Sequence, residues 1–159
     1  MIGYQNGLLK QWDWQESYLE RTWKSIHIGP IALMKFDVSN TYLATAGSDS
    51  TIKIWDVVRH YCTHNLKGAK GVFSEIVFSP KSNQNNIHIY GAADDYYIHI
   101  WDLVSNHKIE KLEGHISTIT CIQFSLCGKY FLSGSRDKIV IVWDASSYTK
   151  IRSIPVFEV

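Results

Sequence analysis

The dipeptide Trp-Asp recurs along the chain, and this recurrence constrains the fold more than any other feature of the sequence. It stands at four places, Trp12-Asp13, Trp55-Asp56, Trp101-Asp102 and Trp143-Asp144. The intervals between the tryptophans are 43, 46 and 42 residues. Near-constant spacing of an uncommon pair indicates a chain built from copies of one supersecondary unit.

Each unit is predicted to hold four short strands. Six residues before each Trp stands Asn6, Asp49, Asp95 or Asp137, and a short apolar segment lies between the two. A step of small residues such as 46–48 comes before the Asp, which is typical of a strand, a tight turn and a second strand. The predicted strands are 8–13, 17–23, 31–36, 42–46, 51–56, 61–66, 72–78, 87–92, 97–102, 107–112, 118–124, 130–134, 139–144 and 149–154. The sequence therefore predicts an all-β fold.

A polar insertion explains the longer third interval. Residues 81–86 read Lys-Ser-Asn-Gln-Asn-Asn, and such insertions lie in exposed loops. No linker divides the chain, so residues 1–159 are predicted to form one unit.

Composition excludes several classes of protein. Hydrophobic residues make up 45% and charged residues 19% of the 159 residues, which excludes a disordered tail. The formal net charge of +1 excludes a wholly basic nucleic-acid footprint. No apolar run approaches the length of a membrane helix, about 18 residues. The three cysteines lack the spacing of a disulfide framework or a metal site, and Cys121, inside an apolar strand, is expected to be packed. We therefore expect a reducing compartment and no membrane, metal, cofactor or small-molecule substrate.

Two units carry a histidine, a hydroxyl residue, an aspartate and a tryptophan at matched offsets. The sets are His27, Thr45, Asp49 and Trp55, and His115, Ser133, Asp137 and Trp143. A catalytic triad would need one strained and exposed set beside an oxyanion hole. Because these sets recur with the repeat, the sequence predicts no catalytic residue. It predicts instead a buried hydrogen-bond chain from Trp through hydroxyl and His to Asp.

The unit between them departs from this pattern. Ala69 stands at the histidine position and Gly91 at the hydroxyl position, whereas Asp95 and Trp101 are kept. We expect this unit to be held by packing alone and to be the most mobile of the three.

The Trp-Asp pairs, the Gly114-His115 pair and the recurring turn Asp resemble the WD-repeat β-propeller family over essentially the whole chain. The resemblance implies the end of a blade in 1–23 and blades in 24–66, 67–112 and 113–159. A closed ring takes at least four blades. The expectation is therefore an incomplete propeller, an open arc of about three and a half four-stranded blades, and a piece of a longer protein.

A narrower resemblance is carried by the stretches 23–27, 56–64, 135–138 and 155–158. They are similar to the N-terminal propeller of WD-repeat subunits of the small-subunit processome. That similarity implies a nucleolar scaffold in ribosomal RNA processing and ribosome biogenesis. Its partners would be sister WD-repeat proteins and, indirectly, a small nucleolar RNA particle and pre-ribosomal RNA.

Two alternatives stay open. One is a general WD-repeat adaptor, such as a ubiquitin-ligase receptor or a signalling scaffold, with the cytoplasm as the alternative location. The other is a module that binds RNA directly, which the near-zero net charge disfavours.

The candidate partner contacts lie in turns and inter-blade loops. Ser48, Asp94 and Arg136 each precede the turn Asp, so they are expected to share one face with the inter-blade loops near His27, Lys70 and Ile116. Arg59 belongs to another short basic cluster. Lys70 and Arg59 either lie in solvated turns or contact RNA phosphate or an acidic partner.

Overall fold

β-branched and aromatic residues alternate with turn residues throughout the sequence, and the chain folds accordingly into strands. The computed structural model describes residues 1–23, 27–80 and 86–156. These ranges hold fifteen strands: β1 Ile2–Gly3, β2 Leu9–Asp13, β3 Tyr18–Trp23, β4 Ile31–Phe36, β5 Tyr42–Gly47, β6 Ile52–Asp56, β7 Tyr61–Leu66, β8 Phe73–Phe78, β9 His88–Ala93, β10 Ile98–Asp102, β11 His107–Leu112, β12 Ile119–Phe124, β13 Tyr130–Ser135, β14 Ile139–Asp144 and β15 Lys150–Pro155. The prediction of an all-β fold is confirmed.

Several predicted features touch residues outside the described ranges. They are the first residues of the blade assigned to 24–66, most of the resembling stretch 23–27, most of the polar insertion at 81–86, and the ends of the blade assigned to 113–159 and of the stretch 155–158. Over the described ranges, the structure has no helix with the length and apolarity that crossing a bilayer requires.

The strands form four antiparallel sheets in chain order. Sheet 1 is β1-β2-β3, sheet 2 is β4-β5-β6-β7, sheet 3 is β8-β9-β10-β11 and sheet 4 is β12-β13-β14-β15. In every sheet the register shifts at the step into the Trp of the Trp-Asp pair, as between Ile54 and Trp55. This recurring irregularity places the four tryptophans at the same register position of their sheets, although Trp12 is exposed and the other three are buried.

The core lies between neighbouring sheets. One apolar cluster joins sheets 1 and 2 through Leu9, Trp23 and Trp55, and two others join sheet 2 to sheet 3 and sheet 3 to sheet 4. First strands of adjacent sheets also meet directly. The Ser74 hydroxyl donates to the Ile119 carbonyl oxygen at 2.6 Å, and Lys35 Nζ lies 3.3 Å from Glu75 Oε1. Among the described residues no core cluster joins sheet 4 back to sheet 1, so the sheets form an open arc.

In the part of the chain that the structure describes, the last sheet presents one face that no other sheet covers. Ile98 and Ile100 of sheet 3 are buried against sheet 4, whereas Leu132, on the uncovered face of sheet 4, is 38% exposed. Cys121 pairs in register with Gly134 next to it and is exposed. The expectation that Cys121 is a packed thiol is therefore wrong, because its face of the strand has no neighbouring sheet.

Candidate interaction face and the polar networks beneath it

A hydrogen-bond chain runs through the middle of sheet 2. Trp55 Nε1 donates to Thr45 Oγ1 at 2.9 Å, and Thr45 Oγ1 lies 2.8 Å from His27 Nε2. His27 Nδ1 lies 3.1 Å from Asp49 Oδ1. With the imidazole proton on Nδ1, each donor in this chain meets an acceptor. The structure thus brings the first predicted set together.

Sheet 4 repeats this chain. Trp143 Nε1 donates to Ser133 Oγ at 2.8 Å, and Ser133 Oγ lies 2.8 Å from His115 Nε2. His115 Nδ1 lies 2.8 Å from Asp137 Oδ2. The Ile116 N–H donates to the same carboxylate oxygen at 3.1 Å. Each network therefore ties the loop before a blade to the turn and the two central strands within it.

Burial sets the electrostatics of these groups. Burial lowers the pKa of His27 more than Asp49 raises it, so the imidazole is neutral at pH 7. Burial acts to raise the pKa of Asp49, but hydrogen bonds from Ile28, Thr51 and His27 outweigh it and hold that pKa below its ordinary value. The aspartate is therefore a fixed acceptor rather than a general base. Thr45 and Ser133 are fully buried, so their hydroxyls are not placed to meet a substrate.

Sheet 3 has a network of its own, and the expectation that packing alone holds it is wrong. His99 Nε2 lies 2.9 Å from Asp95 Oδ2, and the His99 ring stacks on Trp101 with centroids 5.7 Å apart. Trp101 Nε1 donates to the Lys67 carbonyl oxygen at 3.3 Å. The histidine thus comes from strand β10 rather than from the preceding loop. The expectation that this blade is the most mobile loses its physical basis.

The residues of sheet 3 that depart from the repeat pattern fit one another sterically. A Cβ at Gly91 would lie 2.9 Å from Phe73 Cε1 and 2.9 Å from Ile52 Cδ1, so a hydroxyl residue has no room there. Gly91 faces His99 across the strand pair, as Thr45 faces Lys53 in sheet 2. Because Ala69 stands at the loop position, the loop offers no imidazole to the Asp95 carboxylate. The imidazole comes instead from His99 on strand β10.

The Asp of each Trp-Asp pair organises the turn that follows it. Asp56 Oδ1 accepts the N–H groups of Val58 at 3.0 Å and Arg59 at 2.7 Å. Asp13, Asp102 and Asp144 accept the N–H groups two and three residues later in the same way. The residue that closes each of these turns has a positive φ, as in His60 at 64°. In each Trp-Asp pair, the Trp thus belongs to the third strand of its sheet or to the equivalent strand, and the Asp next to it caps the turn that follows.

Four of the five candidate contact residues lie at one end of the sheets. Ser48, Asp94 and Arg136 are exposed in turns between second and third strands, and Lys70 lies in a loop at the same end. Arg59 lies in the turn between β6 and β7, at the opposite end. We call the end with the first four residues the turn-Asp face.

The turn-Asp face also carries two exposed apolar side chains, which lie in the two predicted contact loops near His27 and Ile116. Ile28 is 85% exposed and Ile116 is 81% exposed. Each directly follows a network histidine, and its N–H donates to the turn Asp, at 2.9 Å from Ile28 and 3.1 Å from Ile116. These are two single apolar side chains at matched positions of the repeat, each on a backbone segment fixed by a hydrogen bond to the turn Asp. The repeat offset from His27 and His115 gives Ile28 and Ile116 matching positions in the two loops.

No group of three or more His, Cys, Asp or Glu side chains in the described part of the chain is arranged to hold a metal ion. The clefts of this part lie between neighbouring strands and loops. One of them, of about 490 Å³, opens on the turn-Asp face beside Lys53.

Comparison with known proteins agrees with the repeat. The WD40 family profile, described as "WD domain, G-beta repeat", matches residues 24–56 and 106–144. Each match ends on the Asp of a Trp-Asp pair, where the structure places the turn cap. The chain belongs to the WD-repeat family. With four separate sheets and no ring closure among the described residues, it is an incomplete propeller.

Curated relatives share much of the chain's sequence. It is 45% identical over 151 residues to transducin beta-like protein 3 of Homo sapiens and 42% identical over 151 residues to that of Mus musculus, covering 95% of this chain in both cases. It is 31% identical over 155 residues to nuclear distribution protein nudF of Aspergillus niger, covering 96% of this chain and 34% of that protein. The chain spans about a fifth of the length of the two transducin beta-like proteins, 18% and 19%.

Proposed function

We propose that this chain is a non-catalytic interaction scaffold within the nucleolar small-subunit processome, acting in ribosomal RNA processing and ribosome biogenesis. The observation that carries the proposal is the 42 to 45% identity to transducin beta-like protein 3 over 95% of the chain. The stretches that resemble processome subunits support it, and residues 58–64 within one of them are not part of the general repeat.

The scaffold role is supported by where the polar groups lie. The histidines and hydroxyls of the recurring sets are buried and hydrogen-bonded to one another. The side chains left for contact project from turns and loops that a rigid β framework holds in place. We propose the turn-Asp face, with Ser48, Asp94, Arg136 and Lys70, as the main contact surface, and Arg59 as a contact at the opposite end.

The proposed partners are other WD-repeat proteins of a large nucleolar ribonucleoprotein assembly. Association with a small nucleolar RNA particle and pre-ribosomal RNA is indirect in this proposal, because the net charge of +1 gives the chain little general attraction for phosphate. The proposed location is the nucleolus.

Affinity purification from nuclear extract tests this function. The tagged protein should recover WD-repeat proteins and pre-ribosomal RNA, and the protein partners should stay bound after ribonuclease treatment. Recovery of ubiquitin-ligase or signalling components without any pre-ribosomal component would overturn the processome assignment. Loss of every partner after ribonuclease would favour direct RNA binding instead.

A matched pair of charge reversals tests the face. Arg136 is exposed on the turn-Asp face, and Lys129 is exposed in the turn before β13, at the opposite end. Arg136→Glu should reduce partner recovery several-fold, whereas Lys129→Glu should leave it unchanged. Equal recovery by the two variants would contradict the assignment of the turn-Asp face.

A further inference from the structure

A cleft between the last strands of sheets 1 and 2, β3 and β7, has walls made largely of aromatic rings. Its volume is about 330 Å³. Four of the residues that line it are aromatic: Trp23, Trp55, His60 and Tyr61. Trp23 meets Trp55 and His60 edge to face, with ring centroids 5.5 and 5.6 Å apart. Because ligand pockets usually hold about 300–1,000 Å³, a cleft of this size suits a single side chain of a partner.

Trp23 departs from the repeat and brings a polar group that the protein does not use. Leu66 and Leu112 hold the corresponding position in sheets 2 and 3. Trp23 is 4% exposed, and among the residues that the structure describes its indole Nε1 has no hydrogen-bond partner. A buried N–H group without an acceptor costs free energy. A leucine satisfies the packing at this position, so the indole N–H is a donor that the fold itself does not require.

The cleft is open because Cys62 stands opposite Trp55 in the strand pair. Sheet 3 pairs Lys108 with Trp101 in the same way. There the lysine fills the corresponding space: its Nζ lies 5.9 Å from the centroid of the Trp101 ring and donates to the Gly68 carbonyl oxygen at 3.0 Å. A cysteine is too short to reach across the junction. The space that a side chain of the protein itself fills in sheet 3 is therefore accessible in sheet 2.

The rim of this cleft is positively charged. Arg21 lines the cleft and makes no ion pair within the described ranges. Arg59 stands close enough to Tyr61 for that phenol to raise the pKa of the guanidinium. Arg59 Nε lies 3.9 Å from Asp56 Oδ2, but the other oxygen of that carboxylate already accepts two backbone N–H groups. The residues that line the cleft include no Asp or Glu, so the local charge favours an acidic partner.

We propose that this cleft binds one aromatic side chain from an acidic segment of a partner protein, and that carboxylates beside this side chain pair with Arg21 and Arg59. Aromatic rings favour edge-to-face contacts, which is the arrangement that Trp23 already has with its neighbours. The Trp23 N–H is the donor left for an oxygen of that segment. The inference rests on the proposed scaffold function and names the chemistry of the contact at Arg59.

Single-stranded RNA fits this cleft less well. Proteins that bind single strands combine a row of cations with open aromatic faces on which successive bases stack. Trp23 and Trp55 are only 4% and 3% exposed, so they lie at the bottom of the cleft and offer no open face to a stack of bases. Two arginines at the rim do not form a row along a strand. The cleft therefore fits one inserted side chain better than a nucleic-acid backbone.

Nuclear magnetic resonance of the tryptophan indole N–H groups tests the site directly. The ¹⁵N-labelled protein is titrated with acetyl-Asp-Asp-Phe-Asp-Asp-amide and with two counterparts, one with Ala in place of Phe and one with Asn in place of Asp. The Trp23 signal, identified by its loss in Trp23→Leu, should shift saturably with the first peptide, and the Trp143 signal should not move. Each counterpart should bind at least about tenfold more weakly, because it lacks either the ring or the carboxylates.

Two pairs of matched variants locate the contact. Cys62→Met puts an uncharged side chain of about the length of Lys108 into the cleft and should weaken binding at least about tenfold. Cys127→Met, in an exposed turn, should leave binding unchanged. Arg21→Gln should weaken binding several-fold, whereas Arg152→Gln, at an exposed position of β15, should not. Thermal unfolding by circular dichroism checks that each variant is folded, and the Arg21 pair decides if Cys62→Met is not.

Three results would overturn the proposal. The first is no saturable shift of the Trp23 signal with the Phe peptide up to about 1 mM. The second is equal binding of the Ala peptide, or equal binding by folded Cys62→Met, because either would remove the role of the cleft. The third is a Trp23 shift with oligouridylate but not with the Phe peptide, which would assign the cleft to RNA. None of these outcomes alters which proteins the scaffold recovers from nuclear extract, so the two proposals fail separately.

Discussion

Removing the Ser133 hydroxyl should destabilise the protein far more than its size suggests. This oxygen accepts the Trp143 indole N–H and lies within hydrogen-bond distance of His115 Nε2, both at 2.8 Å, and the residue is fully buried. Ser133→Ala leaves two buried polar groups without a partner, and each such group costs about 1–3 kcal/mol. We therefore expect a loss of about 2–6 kcal/mol in the free energy of unfolding. For a chain of this length this corresponds to a fall of about 4–24 °C in melting temperature.

Urea unfolding followed by circular dichroism measures this loss, with two control variants. Ser133→Thr keeps the hydroxyl, as Thr45 does in sheet 2, and should recover most of the stability. Ser153→Ala removes a hydroxyl at an exposed position of β15 and should change the free energy by less than about 0.5 kcal/mol. If Ser133→Ala and Ser153→Ala were equally stable, the buried network would not hold the blade together and the reasoning would be refuted.

Three further perturbations follow from the same contacts. Burial lowers the pKa of His27 and His99, so as the pH falls below about 6.5 the unfolded chain binds protons that the folded chain does not. Urea unfolding should show stability falling between pH 7.5 and 5.5, by at most about 1.4 kcal/mol per pH unit and histidine, and a flat profile would contradict this. Gly91→Ser should lower the melting temperature, because its Cβ meets Phe73 and Ile52 at 2.9 Å; an unchanged value would mean that the site has room. Asp144→Ala removes the cap of an exposed turn and should lower the melting temperature only slightly, whereas a fall as large as that of Ser133→Ala would assign it a core role.

The repeat explains why so much of the fold could be predicted. The alternation of apolar strand segments with turn residues predicts the position of each strand. Because the pattern occurs four times, a strand that is unclear in one copy can be assigned from the others. The networks around Thr45 and Ser133 followed for the same reason, since a side chain at a fixed offset in a repeated fold meets the same neighbours. Strand β1, only two residues long, was too short to leave a pattern.

What the sequence did not reveal depends on contacts between different strands or on what covers a face. His99 replaces the loop histidine only because Ala69, Gly91 and Phe73 change together, and no local pattern joins those positions. Lys53 looks like a surface residue by type, yet it stands where a buried Ile stands in sheet 4. Cys121 looks like a core residue, yet its face of sheet 4 has no neighbour.

Hydrogen exchange of the tryptophan indole N–H groups tests the central claim that buried polar networks hold the blades together. The indole protons of Trp55 and Trp143 donate to buried hydroxyls, whereas Trp14 is 83% exposed. Nuclear magnetic resonance in heavy water should show the first two exchanging only when the sheets open, and the Trp14 proton exchanging at the rate of free indole. Exchange of Trp55 and Trp143 as fast as that of Trp14 would contradict the account.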